Sequence, residues 1–311
     1  MTDRITRKVI IDTDPSADDA VALMLAMVSP ELEILGMTAA FGVCDSARSI
    51  KNILKIQTLC GREEIPAVQG AEMPLVRRME FDDAYCGCDG LSQTGLPDPA
   101  KKEEPGEAWR FMAETVKRFP GQVSIISLAP MTNLALMIQN DPAAALAAAG
   151  IYTIAGSYGL RPDYENLNPR PEWNLAQDPE AAVFGSGIPI TAAGLDVTRR
   201  LDNSMMDRLL ARAGENEKTK FLRRAVQFNL DHGLEPYSLL VDSAAVCLAL
   251  CPEIAKTVSG HVIVETRGEY TTGQTLFGNS GRFKKQGSFV QAAWDYDWEK
   301  LLSFLEKRVF S

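Results

Sequence analysis

The feature that most constrains the fold is an apolar run followed at once by an amphipathic helix. The segment RKVIID (7–12) centres on an unbroken apolar run, as in a strand that is buried on both faces. From Ala20, apolar residues recur at i, i+3, i+4 and i+7, which predicts a helix over 18–29. Strands and helices that alternate in this order build a parallel sheet through right-handed crossovers.

The same alternation continues along the chain. Further strands are predicted at 32–42, 65–70, 121–130, 151–159 and 188–197, and further helices at 46–61, 106–120, 131–139, 141–150 and 178–187. Residues 203–251 are predicted to be almost wholly helical, and 260–275 to form a late hairpin. Without internal repeats or linkers, the 311 residues predict one α/β domain, 1–311, with a mostly parallel, Rossmann-like central sheet flanked by helices.

Composition limits the partners and the compartment. A net charge of −9 and a pI near 5.0 argue against binding to nucleic acid or to an anionic membrane. No leader-like or bilayer-spanning apolar segment is visible, and six cysteines favour reduced thiols, so we expect a cytoplasmic protein. A zinc site of Cys86, Cys88, Cys247 and Cys251 stays open, although no CxxC spacing supports it.

Four aspartates crowd the end of the first predicted strand, in IIDTDPSADDAVAL. Asp18 and Asp19 fall in the first turn of the next helix, where helix capping and the macrodipole favour carboxylates. Capping does not explain Asp14, which Pro15 separates from the helix by a turn. Carboxylates that are crowded in this way indicate a site for a hard divalent cation.

Two chemistries use an Asp-x-Asp pair at a strand end. The segment IIDTDPS fits a haloacid-dehalogenase-like phosphatase, in which Asp12 would be the nucleophile and Asp14 the acid/base, with magnesium. Nucleoside hydrolases open instead with Asp-x-Asp-Pro-Gly-x-Asp-Asp-Ala, and the DDA at 18–20 fits only this second pattern.

Later segments also resemble the nucleoside hydrolase family, in the right order. They are SLAPMTNLAL (127–136), EWNLAQDPEAA (172–182), LLVDSAAV (239–246) and VETRGEYTTGQT (264–275). Over residues 8 to about 297 the chain thus resembles the inosine-uridine preferring nucleoside hydrolases. This resemblance implies a calcium-dependent ribonucleoside hydrolase that releases a free base and ribose.

The resemblance also implies a site. Its calcium ligands would be the side chains of Asp14, Asp19 and Asp242 and the backbone carbonyl of Leu128, completed by two ribose hydroxyls and a water. Asp18 would be the general base for the water that attacks C1′, through an oxocarbenium-like transition state. The substrate-binding residues would be Asp18, Asn166, Glu172, Asn174 and Asp242, whereas Trp173 is interpreted as a packing residue.

Four positions depart from the family pattern. Ser16 replaces a glycine, and it would be strained if the turn needs a positive φ. Val43 replaces an asparagine near the ribose, while Cys86 and Val241 replace histidines on the leaving-group side.

The leaving group therefore lacks an assigned acid. Cys86, His232 and Tyr237 are the catalytic candidates on that side, with Asp82 and Asp83 as further candidates for contacts. An alternative function is a ribose- or nucleoside-binding protein with little turnover. The resemblance also implies that the chain forms a homodimer or homotetramer. It implies a small-molecule nucleoside as the substrate that the protein binds.

Overall fold

The computed structural model describes residues 6–79, 81, 83–160 and 171–311, and all its strands join in one sheet. The strands are β1 (Arg7–Thr13), β2 (Leu32–Ala39), β3 (Ala67–Gln69), β4 (Val123–Ser127), β5 (Gly150–Ile154), β6 (Ile190–Ala193), β7 (Ala255–Val264), β8 (Thr275–Gly278) and β9 (Ser288–Tyr296).

Helices cover both faces of this sheet. They are α1 (Ala17–Val28), α2 (Ser46–Cys60), α3 (Ala108–Arg118), α4 (Thr132–Asn140), α5 (Pro142–Leu146), α6 (Trp173–Gln177), α7 (Leu195–Thr198), α8 (Asn203–Arg212), α9 (Glu217–Asp231), α10 (Ser243–Leu250), α11 (Arg282–Gln286) and α12 (Trp298–Phe304). In the described part of the chain, no helix combines the length and apolarity that a bilayer crossing requires.

The strand order is β3-β2-β1-β4-β5-β6-β9-β7-β8. All neighbours from β3 to β9 run parallel, whereas β7 pairs antiparallel with both β9 and β8. The chain order reverses at β1, which lies between β2 and β4. Ligands of open α/β sheets bind beyond the carboxyl ends of the strands at such a reversal. The aspartates therefore follow the strand that defines this point.

The apolar strands are buried on both sides, as the sequence predicts. Val9 and Ile11 belong to one core cluster and Ile10 to the other, and all three side chains are inaccessible to solvent. The period of two along a strand sends alternate side chains to opposite faces, so β1 anchors both layers. The prediction of a mostly parallel α/β sheet is confirmed.

Some element predictions are wrong in detail. Residues 178–187 form two 3₁₀ turns, not one helix, because Ala182 between them has φ −59° and ψ 108°, outside the helical region. The prediction that residues 203–251 are almost wholly helical is confirmed, as three helices and a 3₁₀ turn at Pro236–Leu240. The late hairpin is present as β7 and β8, but its partner β9 was not predicted.

A buried amide fixes the end of β1 relative to its neighbours. Asn133 of α4 donates through Nδ2 to Asp12 Oδ1 at 2.8 Å and to the Ala39 carbonyl at 3.0 Å. Its Oδ1 accepts from the Ala71 N–H at 2.8 Å. Asp12 is thereby tied to α4 and β2, as a residue that supports the strand end.

Candidate active site

A cavity of about 330 Å³ opens at the carboxyl ends of β1, β4 and β5, a volume at the lower end for ligand pockets. Among the residues that line it are Asp14, Asp18, Asp19, Leu128, Glu172, Asn174 and Asp242. The structure thus brings together the sugar-side and metal-side candidates of the sequence. Asn166 and Asp82 lie outside the described residues.

Hydrogen bonds from backbone N–H groups orient the carboxylates of Asp14 and Asp19. Asp14 Oδ2 accepts the Val43 N–H at 2.9 Å, and Asp19 Oδ2 accepts the Ser16 N–H at 3.1 Å. Asp14 packs so closely on Gly42 that a Cβ there would lie 1.8 Å from Asp14 Oδ2. Position 42 therefore accommodates only glycine while Asp14 keeps this position.

Ser16 is not strained, because its backbone does not have the positive φ that the glycine of the family pattern would allow. Its φ is −101° and its ψ −166°, an extended conformation that any residue adopts at a helix N-cap. The Ser16 hydroxyl donates to Asp18 Oδ1. The departure from glycine thus adds a hydrogen bond to Asp18 without a backbone cost.

The carboxylates lie close enough to repel each other. Oxygens of Asp18, Asp19 and Asp242 all lie within 4.8 Å of one another, and Asp14 adds a further charge beside them. Burial and then the charge of Asp18 raise the pKa of Asp19 to about 7. Burial and the neighbouring carboxylates, Asp19 first, raise the pKa of Asp242 well above its usual range. No Lys, Arg or His is among the described residues that line the cavity.

This donor set fits a hard cation. Its ligand atoms are all oxygens. A bound cation would supply the positive charge that the cavity lining lacks, and it would offset both the desolvation of the carboxylates and their mutual repulsion. The Leu128 carbonyl accepts from Asn174 Nδ2 at 2.6 Å, which leaves its second lone pair for a cation. Of the predicted ligands, Asp19 and Asp242 belong to the cluster with metal-ligand spacing, whose third member is Asp18 and not Asp14, while Asp14 and the Leu128 carbonyl line the same cavity.

A second carboxylate segment borders the same cavity. Glu172 is the N-cap of α6 and accepts the N–H groups of Asn174 at 2.9 Å and Leu175 at 3.2 Å. Burial raises the pKa of Glu172 to about 7. The cap fixes the positions of Glu172 and Asn174 at the cavity, as the predicted contacts with ribose hydroxyls require.

The three candidates for leaving-group catalysis do not line the cavity. Cys86 is fully buried with its Sγ 3.7 Å from the Val43 carbonyl, and burial raises the pKa of this thiol to about 12. His232 caps the end of α9 and stacks on the Phe228 ring at 3.9 Å. Tyr237 packs against the core. These positions argue against all three as acids for the departing base.

Asp83 is also turned away from the cavity. It is half exposed and pairs with Arg48 at 2.6 Å, and it is absent from the described cavity lining. All six cysteines are free thiols, and within the described ranges only Asp18, Asp19 and Asp242 form a cluster with metal-ligand spacing. The four-cysteine zinc site is therefore not formed.

Sequence reasoning missed several cavity residues. Trp173 is 47% exposed, lines the cavity and has its ring centroid 5.8 Å from that of Tyr85, so its interpretation as a packing residue stays a prediction. Asn229 and Ser238 also line the cavity. They flank His232 in NLDHGLEPYS, and the signal that could have found them was the irregular segment between two helices.

Comparisons with a family model and with known proteins agree on one family. A sequence model described as "Inosine-uridine preferring nucleoside hydrolase" matches residues 9–303. A pyrimidine-specific ribonucleoside hydrolase RihA from Salmonella agona is 37% identical over 275 residues, covering 86% of this chain and 87% of that protein. A relative from Citrobacter koseri with the same description is 36% identical over the same coverage.

Solved structures agree. The plant nucleoside hydrolase PpNRh1 aligns with a TM-score of 0.87 at 29% identity, over 98% of this chain and 99% of that one. A purine-preferring ribonucleoside hydrolase from Gardnerella vaginalis aligns with a TM-score of 0.84 at 26% identity, over 97% and 98% of the two chains. The match to the family excludes the phosphatase alternative.

Gly42→Ala is expected to displace Asp14, because the added Cβ overlaps its carboxylate. Calorimetric titration should show at least a tenfold loss of Ca²⁺ affinity. Gly185→Ala is the matched control, since a Cβ there meets only Ser288 Oγ at 3.5 Å. Unchanged affinity in Gly42→Ala would show that Asp14 does not need this position to bind the cation.

Ca²⁺ affinity is expected to rise between pH 5.5 and 7.5. The raised pKa of Asp19, about 7, means that cation binding must displace protons at low pH. Since this folded value exceeds the unfolded value of 3.8, the cation-free protein should also lose stability as pH rises through that window.

Titration in two buffers of different ionisation enthalpy measures the protons released. Thermal unfolding without and with Ca²⁺ gives the second readout, and the stabilisation by Ca²⁺ should grow with pH. An affinity that stays constant from pH 5.5 to 7.5, with no proton release, would contradict the expectation.

Proposed function

Because this chain belongs to the inosine-uridine preferring nucleoside hydrolase family, we propose that it cleaves ribonucleosides with calcium as cofactor and Asp18 as general base. The chain is a ribonucleoside hydrolase, an enzyme that acts on N-glycosyl bonds. One observation carries the finer proposal: six acidic side chains line one cavity, and no described basic side chain lines it with them.

Each sugar-side residue has a role in the proposal. Asp14, Asp19, Asp242 and the Leu128 carbonyl hold the cation. When bound, calcium lowers the pKa of the attacking water and binds the ribose hydroxyls. Glu172 and Asn174, fixed by the α6 cap, hold the ribose through hydrogen bonds that a sugar without those hydroxyls would leave unpaired.

Asp18 accepts the proton of the water that attacks C1′. It is the one member of the Asp18, Asp19 and Asp242 cluster that is only partly buried, so water reaches it. Burial still raises the pKa of Asp18, and the Ser16 hydroxyl partly offsets this by donating to its carboxylate. A raised pKa brings a carboxylate closer to neutrality, where a general base is most effective.

We propose pyrimidine ribonucleosides as the preferred substrates. The relatives with 36–37% identity carry the description "pyrimidine-specific". Release of a purine gains from protonation of its imidazole ring, and neither of the two histidines, His232 and His261, lines the cavity. The preference thus agrees with a cavity that offers no imidazole acid.

Two further expectations stay proposals. The family resemblance supports assembly into a homodimer or homotetramer. The six free thiols support a reducing, cytoplasmic compartment.

Asp18→Asn is expected to lower kcat on a ribonucleoside by about 10²–10⁴-fold, because the general base is lost. Reducing-sugar release measures the activity, and calorimetry should show Ca²⁺ affinity within a few fold of the wild type. Asp231→Asn is the control, since Asp231 is exposed at the end of α9 and, among the described residues, its side chain accepts a hydrogen bond only from Gln227. Loss of Ca²⁺ binding in Asp18→Asn would make Asp18 a ligand and not a base.

A panel of uridine, cytidine, inosine and adenosine should separate the base classes. We expect kcat/KM at least tenfold higher for the pyrimidine nucleosides, with free base and ribose identified by chromatography. Removal of the metal with a chelator should abolish activity, and added Ca²⁺ should restore it. Equal or faster release of purines would contradict the pyrimidine preference, while activity that survives chelation would contradict the calcium requirement.

A further inference from the structure

The loop before α3 contains a strained turn that has no role in the proposed function so far. Ser92 and Gln93 have φ angles of +55° and +51°, and they are the only residues other than glycine with a positive φ in the described part of the chain. This left-handed region costs an L-residue free energy, because its Cβ comes too close to the following carbonyl oxygen. Strain of this kind concentrates at binding and catalytic sites, so two such residues in succession indicate a function for the turn.

Hydrogen bonds hold the turn in this conformation. Asp89 Oδ1 accepts the Gln93 N–H at 3.0 Å. The Ser92 N–H donates to the Cys86 carbonyl at 2.6 Å. Asn52 of α2 is buried, and its Nδ2 donates to the Asp89 carbonyl at 3.0 Å. The turn is thereby attached to a helix of the core and to Cys86, the position on the leaving-group side of the family pattern.

The strained conformation places the Ser92 side chain at the cavity. Ser92 is 4% exposed and lines the same cavity as the carboxylates, whereas the neighbouring Gln93 is exposed and lies outside that lining. Of the three serines that line the cavity, Ser16 and Ser238 are hydrogen-bonded to other side chains. Ser92 Oγ has no hydrogen bond within the described ranges, and it is not among the fully enclosed unpaired atoms. A buried hydroxyl is therefore free to bond a molecule that enters the cavity.

The departing base is the part of a ribonucleoside that still lacks a partner in the proposed function. Glu172 and Asn174 hold the ribose there, and no described Lys or His lines the cavity to protonate the base. In the cleavage, water bonds to C1′ and gives a proton to Asp18, while the C1′–N bond breaks and leaves its electron pair on the base. Negative charge therefore develops on the base, and a hydrogen-bond donor beside it stabilises the transition state more than the bound nucleoside.

We propose that the strained turn presents the Ser92 hydroxyl to the departing base, to which it donates a hydrogen bond as the negative charge develops. The inference rests on the proposed function and adds a residue that touches the substrate. Ser92 keeps its proton throughout, and the base takes its own proton from solvent after the bond has broken. The ligand class is a ribonucleoside whose base has a carbonyl oxygen next to the glycosidic nitrogen, as uracil and cytosine have.

Four variants separate the hydroxyl from the backbone strain. Ser92→Ala removes the hydroxyl and keeps a Cβ at positive φ, whereas Ser92→Gly removes both the hydroxyl and the strain. Gln93→Ala and Gln93→Gly are the matched controls, because they make the same backbone changes at an exposed side chain outside the cavity lining. The substrates are uridine and 4-nitrophenyl β-D-ribofuranoside, whose leaving group bears its negative charge without help.

Both Ser92 variants should lower kcat on uridine about tenfold or more, with KM within about twofold, because the lost hydrogen bond strengthens in the transition state. Their kcat on the nitrophenyl riboside should fall by at most about twofold. Both Gln93 variants should keep kcat on both substrates within about twofold of the wild type. Each glycine variant should melt about 1–3 °C above its alanine counterpart, since glycine adopts a positive φ without strain.

Three results overturn the inference. The first is an unchanged kcat on uridine in the Ser92 variants. The second is an equal loss on both substrates, or an equal loss in the Gln93 variants, because Ser92 would then support the loop without touching the base. The third is a glycine variant that melts no higher than its alanine counterpart, because the turn would then hold no strain. If Ser92→Ala fails to fold, Ser92→Gly decides the comparison of substrates, since it relieves the strain.

Failure of the proposed function gives another result. A wild type that hydrolyses neither uridine nor the nitrophenyl riboside overturns the proposed function, and this inference with it. A wild type that hydrolyses both, with Ser92 variants that match it on each, keeps the hydrolase and overturns only the contact between Ser92 and the base.

Discussion

Unbalanced negative charge at the end of β1 is the constraint on which the rest of this structure depends. Asp12, Asp14 and Asp19 are almost fully buried, and Asp242 comes to them from a segment more than 200 positions later. Burying such a group of carboxylates costs free energy unless protons or a cation neutralise their charge. The surrounding structure fits these carboxylates closely, with a glycine that leaves room for Asp14 and an amide that ties Asp12 to α4.

The N-termini of two helices offset part of the free-energy cost of burying these carboxylates. Asp18 and Asp19 occupy the first turn of α1, and Asp242 is the N-cap of α10. The macrodipole places roughly half a positive charge at each such end. These partial charges do not balance the negative charge of four carboxylates. In the function proposed for the site, a divalent cation supplies the remaining positive charge.

The sequence predicts the sugar end of the site better than the base end, for a physical reason. Asp14, Asp18 and Asp19 follow a buried strand at fixed spacing, so local pattern and topology together determine their place. Trp173 and Ser238 reach the cavity through irregular segments, whose course depends on tertiary contacts that no periodicity records. Cys86 shows the reverse error, since its motif position suggested chemistry while its side chain is buried against the Val43 carbonyl.

The segment between α9 and α10, which is exposed at His232, Gly233 and Glu235, has an evolutionary consequence. Segments of this kind tolerate substitution at little cost to stability, whereas a change at Gly42 or Asp19 affects the buried strand end. Under the proposed function, base preference can therefore change in one short stretch while the side chains that hold the sugar and the cation stay the same. Relatives described as pyrimidine-specific and purine-preferring, on one shared fold, are the outcome that this division of labour permits.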